Sequence, residues 1–234
     1  ETGRAGRDGG EGHCLAYYSY KDVEKLEKFL AGKPIAEQEI GFALLQEVVA
    51  YAETSMSRRK FLLHYFGEEF DDVTGDGADM DDNVRNPKTK VEAQDQVVAL
   101  LKVVKGTKQL FKSKEVILAL VGKVNAIIKA QKIDTQPYFG SGAGFDEKYW
   151  MALTRQALVD GLMTKDIETY GVLKLSKKGE AFIENPSSFM MSEDHEYNEE
   201  GDEAIVTAAK ASGTADEALM VMLKDLRKKE AKKL

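Results

Sequence analysis

The sequence predicts a mainly α-helical chain with a small β wing, arranged as a helical subdomain followed by a winged-helix domain. Two observations carry this. Apolar residues recur three and four apart in most segments between residues 21 and 160, the period of helices with one buried face. Two short runs, 162–166 and 172–175, then flank Glu168-Thr169-Tyr170-Gly171 as the strands of a hairpin flank its turn. Helices closed by a β hairpin give a helix-turn-helix relative with a wing.

Taken in order, residues 21–30 place Val23, Leu26, Phe29 and Leu30 at helical spacing, and residues 35–51 continue it through Ile40, Leu44, Leu45 and Val48. Residues 57–67 read as another helix, stopped at Gly67. Residues 68–87, rich in Asp and Gly, read as an irregular loop. From Val91 the best-formed domain begins. Val97, Val98, Leu101 and Val104 define one helix, residues 115–121 a second and residues 146–160 a third, whose buried face is Tyr149, Trp150, Leu153 and Leu158. After Phe189 the chain turns acidic and then rich in small residues, a linker composition, and residues 216–234 read as a final basic helix. The expected divisions are 1–20, 21–90, 91–190, a linker over 191–215, and 216–234.

A chain of 234 residues with 43% hydrophobic content suffices for one or two domains with cores. No apolar run is long enough to span a bilayer, and the N-terminus lacks the apolar core of a signal peptide, so no membrane partner is expected. The single cysteine, Cys14, excludes an internal disulfide and fits a reducing, cytoplasmic setting. The net charge of −7 conceals an uneven distribution. Residues 181–218 carry ten acids against one base, and residues 67–90 eight acids against three bases. Residues 112–180 hold eleven bases against eight acids, a mildly basic module between acidic flanks.

Near the N-terminus, Gly3-Arg4-Ala5-Gly6-Arg7-Asp8-Gly9 sets two arginines three apart, each after a glycine. Such arginines can turn together toward a phosphate, which their planar fork meets in bidentate geometry. This loop, Ser57-Arg58-Arg59 with His64-Tyr65-Phe66-Gly67-Glu68, and Tyr149-Trp150 through Arg155-Gln156 to Gly161 occur in an order that resembles the RecQ family of DNA helicases. The resemblance covers nearly the whole chain. It implies the last helicase motif, then the equivalent of a small zinc-binding region, then a winged helix (the RQC domain), then the start of a small helical domain (HRDC-like) at 216–234. By this resemblance Arg4 and Arg7 are catalytic, completing an ATP and magnesium site supplied by an absent motor core, the intramolecular partner. No phosphate-cradling Gly-Lys-Ser/Thr loop and no Asp-Glu magnesium motif lie in the chain, so by itself it should not hydrolyse ATP. The setting implied is a bacterial cytoplasm, in association with the nucleoid.

The zinc region departs from the family pattern. There one cysteine precedes the Arg-Arg pair and three follow in a C-x-x-C-x-x-C cluster; the matching positions here are Ser57, Gly75, Ala78 and Asp81. A structural zinc needs four ligands in tetrahedral array, usually thiolates, so no zinc is expected. The aspartates Asp71, Asp72, Asp76, Asp79, Asp81 and Asp82 read either as a solvated acidic loop or as ligands for a hard cation such as calcium, although their spacing fits no calcium loop.

DNA is the expected partner, as a fork or duplex–single-strand junction. Lys148 and Arg155 on the third helix are candidate phosphate contacts, Arg155 alternatively pairing with a carboxylate such as Asp160. Ser141 and Gly142, in Phe139-Gly140-Ser141-Gly142, would offer a hydroxyl and backbone amides to an anion at that helix's N-terminus, or serve only to turn the chain. Tyr170 sits where a RecQ-type wing would push an aromatic into a duplex end, and reads equally as an ordinary turn residue. Lys165, Lys174, Lys177 and Lys178 would surround it as phosphate contacts or as a solvated edge. Arg58, Arg59 and Lys60 would extend the groove, or one or more of them would form ion pairs within the helical piece. Trp150 reads as core rather than as a stacking platform. The leading expectation is the accessory region of an ATP-dependent 3′-to-5′ helicase of repair and recombination. A winged-helix regulator and a protein-interaction scaffold are the alternatives.

Overall fold

The computed structural model describes residues 9–10, 12–166 and 171–197, and the chain divides into two compact units, residues 1–24 with 196–234 and residues 25–195. Within the first, the Tyr18 and Tyr197 rings meet edge-on with centroids 5.3 Å apart. The final helix expected at 216–234, and the linker beyond 197, lie outside the described residues.

The first half of the second unit is helical. Helices α1 (Tyr20–Leu30) and α2 (Ile35–Glu53) form where the periodicity predicts them, but of the apolar residues that defined it only Val23 and Leu45 are buried, while Leu26, Phe29, Ile40, Leu44 and Val48 are exposed; Gly41 lies against the Leu30 side chain. Helix α3 (Arg58–Tyr65) starts because Ser57 Oγ accepts the Lys60 N–H at 3.2 Å. The acidic segment is less irregular than its composition suggests. Asp81 Oδ1 accepts the Val84 N–H at 3.0 Å and nucleates a single turn, α4 (Asp82–Arg85).

The second half is the winged helix. Helix α5 (Gln94–Gly106) is central: Val97, Leu100, Leu101, Val103 and Val104 are all fully buried, while Val98, expected inside, is only partly so. Around it lie α6 (Ser113–Val121), the short α7 (Ala126–Ala130) capped by Asn125, and α8 (Glu147–Val159). The hairpin of β2 (Met163–Asp166) and β3 (Val172–Leu175) follows, with Met163 opposite Leu175 and Lys165 opposite Leu173. An isolated bridge from Lys112 to Val172 and a 2.9 Å bond from Leu173 N–H to Phe111 O add a third edge beside β3. Helix α9 (Lys177–Glu184) and strand β4 (Met190–Ser192) complete the domain, β4 pairing antiparallel with β1 (Lys90–Glu92). The chain is thus mainly helical with small β pairs, as its periodicity predicts.

The segment after Phe189 stays in the fold further than its acidity suggests. Gln156 Nε2 donates to Ser192 O at 2.6 Å, and the Ser192 N–H donates back to Gln156 Oε1 at 3.1 Å. Ser55 Oγ reaches Ser192 Oγ at 3.0 Å, and the His195 N–H bonds Glu53 O at 2.8 Å. Residues 190–195 therefore bind the helical half to the winged helix. Among the described residues no helix is long and apolar enough to cross a membrane.

Candidate nucleic-acid interface

Helix α8, which the sequence reads as the third helix of this domain and which follows the short α7, is positioned by three local devices. Asp146 Oδ1 accepts the Tyr149 N–H at 2.8 Å as its N-cap. Phe145, just before the cap, meets Trp150 edge-on at 6.1 Å as a hydrophobic staple, and stacks on Tyr149 at 4.2 Å. Trp150 is 1% exposed and donates its indole N–H to Gly142 O at 3.0 Å, which settles it as core.

That arrangement corrects the expected anion seat. The Gly140 and Gly142 N–H groups donate to Ala119 O and Leu120 O, both at 2.8 Å, capping the C-terminus of α6, and the Ser141 N–H goes to Tyr138 O at 3.2 Å. The loop amides are thus spent inside the protein, and Gly142 is buried because a Cβ there would overlap the Trp150 indole. Ser141 itself is exposed, as is Lys148, which lies with Phe145, Ala143 and Lys123 around a shallow depression at the start of α8.

Two of the candidate arginines, Arg155 and Arg58, turn inward. Arg155 forms an ion pair with Asp194 rather than with Asp160, and its side chain is only 14% exposed. Arg58 Nε and Nη2 bond both oxygens of Asp82, at 2.5 and 2.9 Å, and its Nη1 donates to Tyr51 O at 2.7 Å. The guanidinium holds the Asp82 carboxyl below the usual carboxylate range. Arg59 lies over the Phe70 ring, 5.3 Å from its centroid. Arg58 and Arg155 thus each meet a carboxylate from a distant part of the chain, whereas Arg59 remains exposed. Burial, with Lys88 and Arg58 nearby, lowers the His195 pKa, and its Nε2 lies 2.7 Å from Asn83 Oδ1.

The hairpin sorts the lysines by face. Met163, Lys165, Leu173 and Leu175 share one face by register, and Lys165 pairs there with Glu47 of α2. Thr164, Asp166, Val172 and Lys174 share the other. Lys174 lies along that outer face with its Nζ bonded to Gln109 O at 2.8 Å, and Lys112, bridged to Val172, lies beside it. Lys177 and Lys178 occupy the first turn of α9, both exposed, Lys178 donating to Asp160 O at 2.7 Å. Lysines there oppose the helix dipole, so they add little to the fold itself. Lys112 is not evident from sequence, because only the bridge to β3 brings it to the wing. Arg4, Arg7 and Tyr170 lie outside the described residues; Gly171, at φ 91°, donates its N–H to Asp166 O at 2.8 Å and closes the hairpin below the tip.

Comparison with known proteins adds the context. The family model described as RQC domain matches residues 87–200, and that described as RecQ zinc-binding matches residues 20–82. The chain is similar to the ATP-dependent DNA helicase Q-like 4B of Arabidopsis thaliana, with 28% identity over 74% of this chain and 16% of that protein. It is similar to the ATP-dependent DNA helicase RecQ of Pasteurella multocida, with 27% identity over 82% of this chain and 30% of that protein. A shorter stretch, 31% of this chain, is 46% identical to 6% of the ATP-dependent DNA helicase hus2/rqh1 of Schizosaccharomyces pombe. The chain therefore spans less than a third of each of these relatives.

Proposed function

Because the chain belongs to the RecQ family, we propose that it is the DNA-gripping region of an ATP-dependent 3′-to-5′ DNA helicase of repair and recombination. The observation that carries this is the outer face of the wing. Lys174, Lys112 and the exposed first turn of α9 with Lys177 and Lys178 form a basic edge on a winged helix in a chain of net charge −7. Such an edge holds phosphates and carries no base preference. Lys148 makes a second, separate contact at the start of α8. Tyr170, at the hairpin tip, stacks on the terminal pair of a fork, replacing base stacking of about 1–3 kcal/mol. Arg4 and Arg7 stabilise charge on the γ-phosphate of ATP bound with magnesium by a motor core outside this chain.

The test is binding to a forked duplex across a salt series. Lys174→Ala with Lys177→Ala should weaken binding and shallow the salt slope by roughly 0.7–0.9 per lost phosphate contact. Tyr170→Ala should lose the preference for forks over blunt duplex while keeping duplex affinity. The inward turn of Arg58, Arg155 and Lys165 favours one competing reading, a scaffold that has given up DNA. Absence of any salt-sensitive binding at low salt would establish that reading and dismiss the grip.

A further inference from the structure

A match to a zinc-binding region brings an expectation of a tetrahedral thiolate centre, and the residues at its four positions do not fit one. Ser57 supplies a hydroxyl and Asp81 a carboxylate, while Gly75 and Ala78 supply no donor side chain. Any Cβ at Gly75 would collide with Asp71 O, so the loop follows a path in which a cysteine has no place. Among the described residues no three His, Cys, Asp or Glu side chains are grouped to hold a metal.

We propose that residues 57–60 and the acidic loop form a metal-free polar clasp standing where the zinc centre would be, so that closure of the loop depends on hydrogen bonds, ion pairs and one cation–ring contact of the protein's own side chains. Each of the four successive side chains grips a different point of the loop. Ser57 Oγ donates to Asp81 Oδ2 at 2.9 Å, and since Ser57 caps α3 while Asp81 caps α4, this one bond ties two helix starts together. Arg58 takes both oxygens of Asp82. Arg59 covers Phe70 and reaches Met80 Sδ at 3.7 Å, with Gly77 passing so close beneath that a Cβ would strike the guanidinium. Lys60 Nζ donates to Asp72 at 3.0 Å. Behind them the buried Asn83 donates to Thr54 O and Met56 O, both at 2.7 Å. Of the aspartates that would bind a hard cation, Asp72, Asp81 and Asp82 are engaged in this way, and Asp71 accepts the Val73 and Thr74 N–H groups at 2.9 and 3.1 Å. The clasp rests on the family assignment only for the identity of the zinc positions, and its test does not involve DNA.

The whole chain would be purified from zinc-supplemented medium, its zinc content measured by plasma mass spectrometry, and its melting followed with and without EDTA and with added calcium. Substoichiometric zinc and one melting temperature in all three conditions are expected. One zinc per chain with melting lowered by EDTA, or melting raised by calcium, would overturn the clasp. Limited proteolysis then reads the loop directly. Cleavage within residues 68–87 should rise about tenfold in Asp81→Ala, which loses the Ser57 bond and the α4 cap, and stay unchanged in Asp76→Ala. Equal rates in the two variants would dismiss it. Should Asp81→Ala not fold, Ser57→Ala carries the same comparison, with a smaller rise.

Discussion

The guanidinium of Arg155 lies against Asp194 with both side chains largely shielded, at 14% and 16% exposure. Breaking a shielded ion pair from one side leaves the other charge without its partner. Arg155→Ala should therefore cost about 2–3 kcal/mol in urea denaturation and leave the affinity for forked DNA unchanged. Asp194→Ala added to it should recover part of the loss, as coupled sites do. Lys148→Ala should behave oppositely, weakening DNA with no change in stability. At Gly142 the constraint is steric: the Trp150 indole occupies the space a methyl would need, so Gly142→Ala should lower stability by roughly 1–3 kcal/mol in the same assay.

At the scale of elements, α8 is held by its cap and staple, and Asp146→Ala should cost about 1 kcal/mol by thermal melting. Long periodic helices such as α5 and α8 were legible in the sequence because a buried stripe repeats over several turns, whereas α2 was legible by the same spacing although Ile40, Leu44 and Val48 stay exposed. The wing was legible because its two runs flank a turn-like segment closely. Short elements were not. A four-residue helix, α4, exists through one side-chain cap, and the three-residue strands β1 and β4 exist through pairing between segments about a hundred residues apart. The candidate site was less legible than the fold for the same reason. Sequence shows that Lys165 is a lysine beside a turn; it does not show Glu47, 118 positions away, that draws it inward. For Arg58 and Arg155 the sequence left phosphate contact and ion pairing both open, because the carboxylates they meet, Asp82 and Asp194, are distant in the chain. The directions of Lys174, Lys177 and Lys178 follow instead from strand alternation and from a helix's first turn, which need no distant partner to be read.

At the scale of the whole molecule, the pH dependence through the imidazole range is set by His64 and His195. Burial lowers the pKa of His64, with Lys165 adding to the effect and Glu47 opposing it, and burial lowers that of His195, with Lys88 and Arg58 adding and Asp82 opposing. A depressed folded-state pKa means that the unfolded chain takes up the proton first. Stability is then complete above the ordinary imidazole value of about 6.5 and is lost as pH falls through it toward the folded value. The urea midpoint should hold level above neutrality and decline on acidification below about 6.5, and His64→Gln with His195→Gln should flatten that decline.

The pairing of β1 with β4 also has a mechanical consequence. Lys90, where the chain enters the wing domain, lies opposite Ser192, where it leaves, so the ladder's two free ends share one corner. Tension drawn between the incoming and outgoing chain would peel the ladder open one rung at a time, whereas strands loaded from opposite ends resist with all their rungs at once. The bonds clustered at that corner, Lys88 to Asp194 O at 2.5 Å, Ser55 to Ser192 and Arg155 to Asp194, act as the rivet at the mouth of this zipper. Pulling on the two flanking segments would load that rivet before any helix of the core.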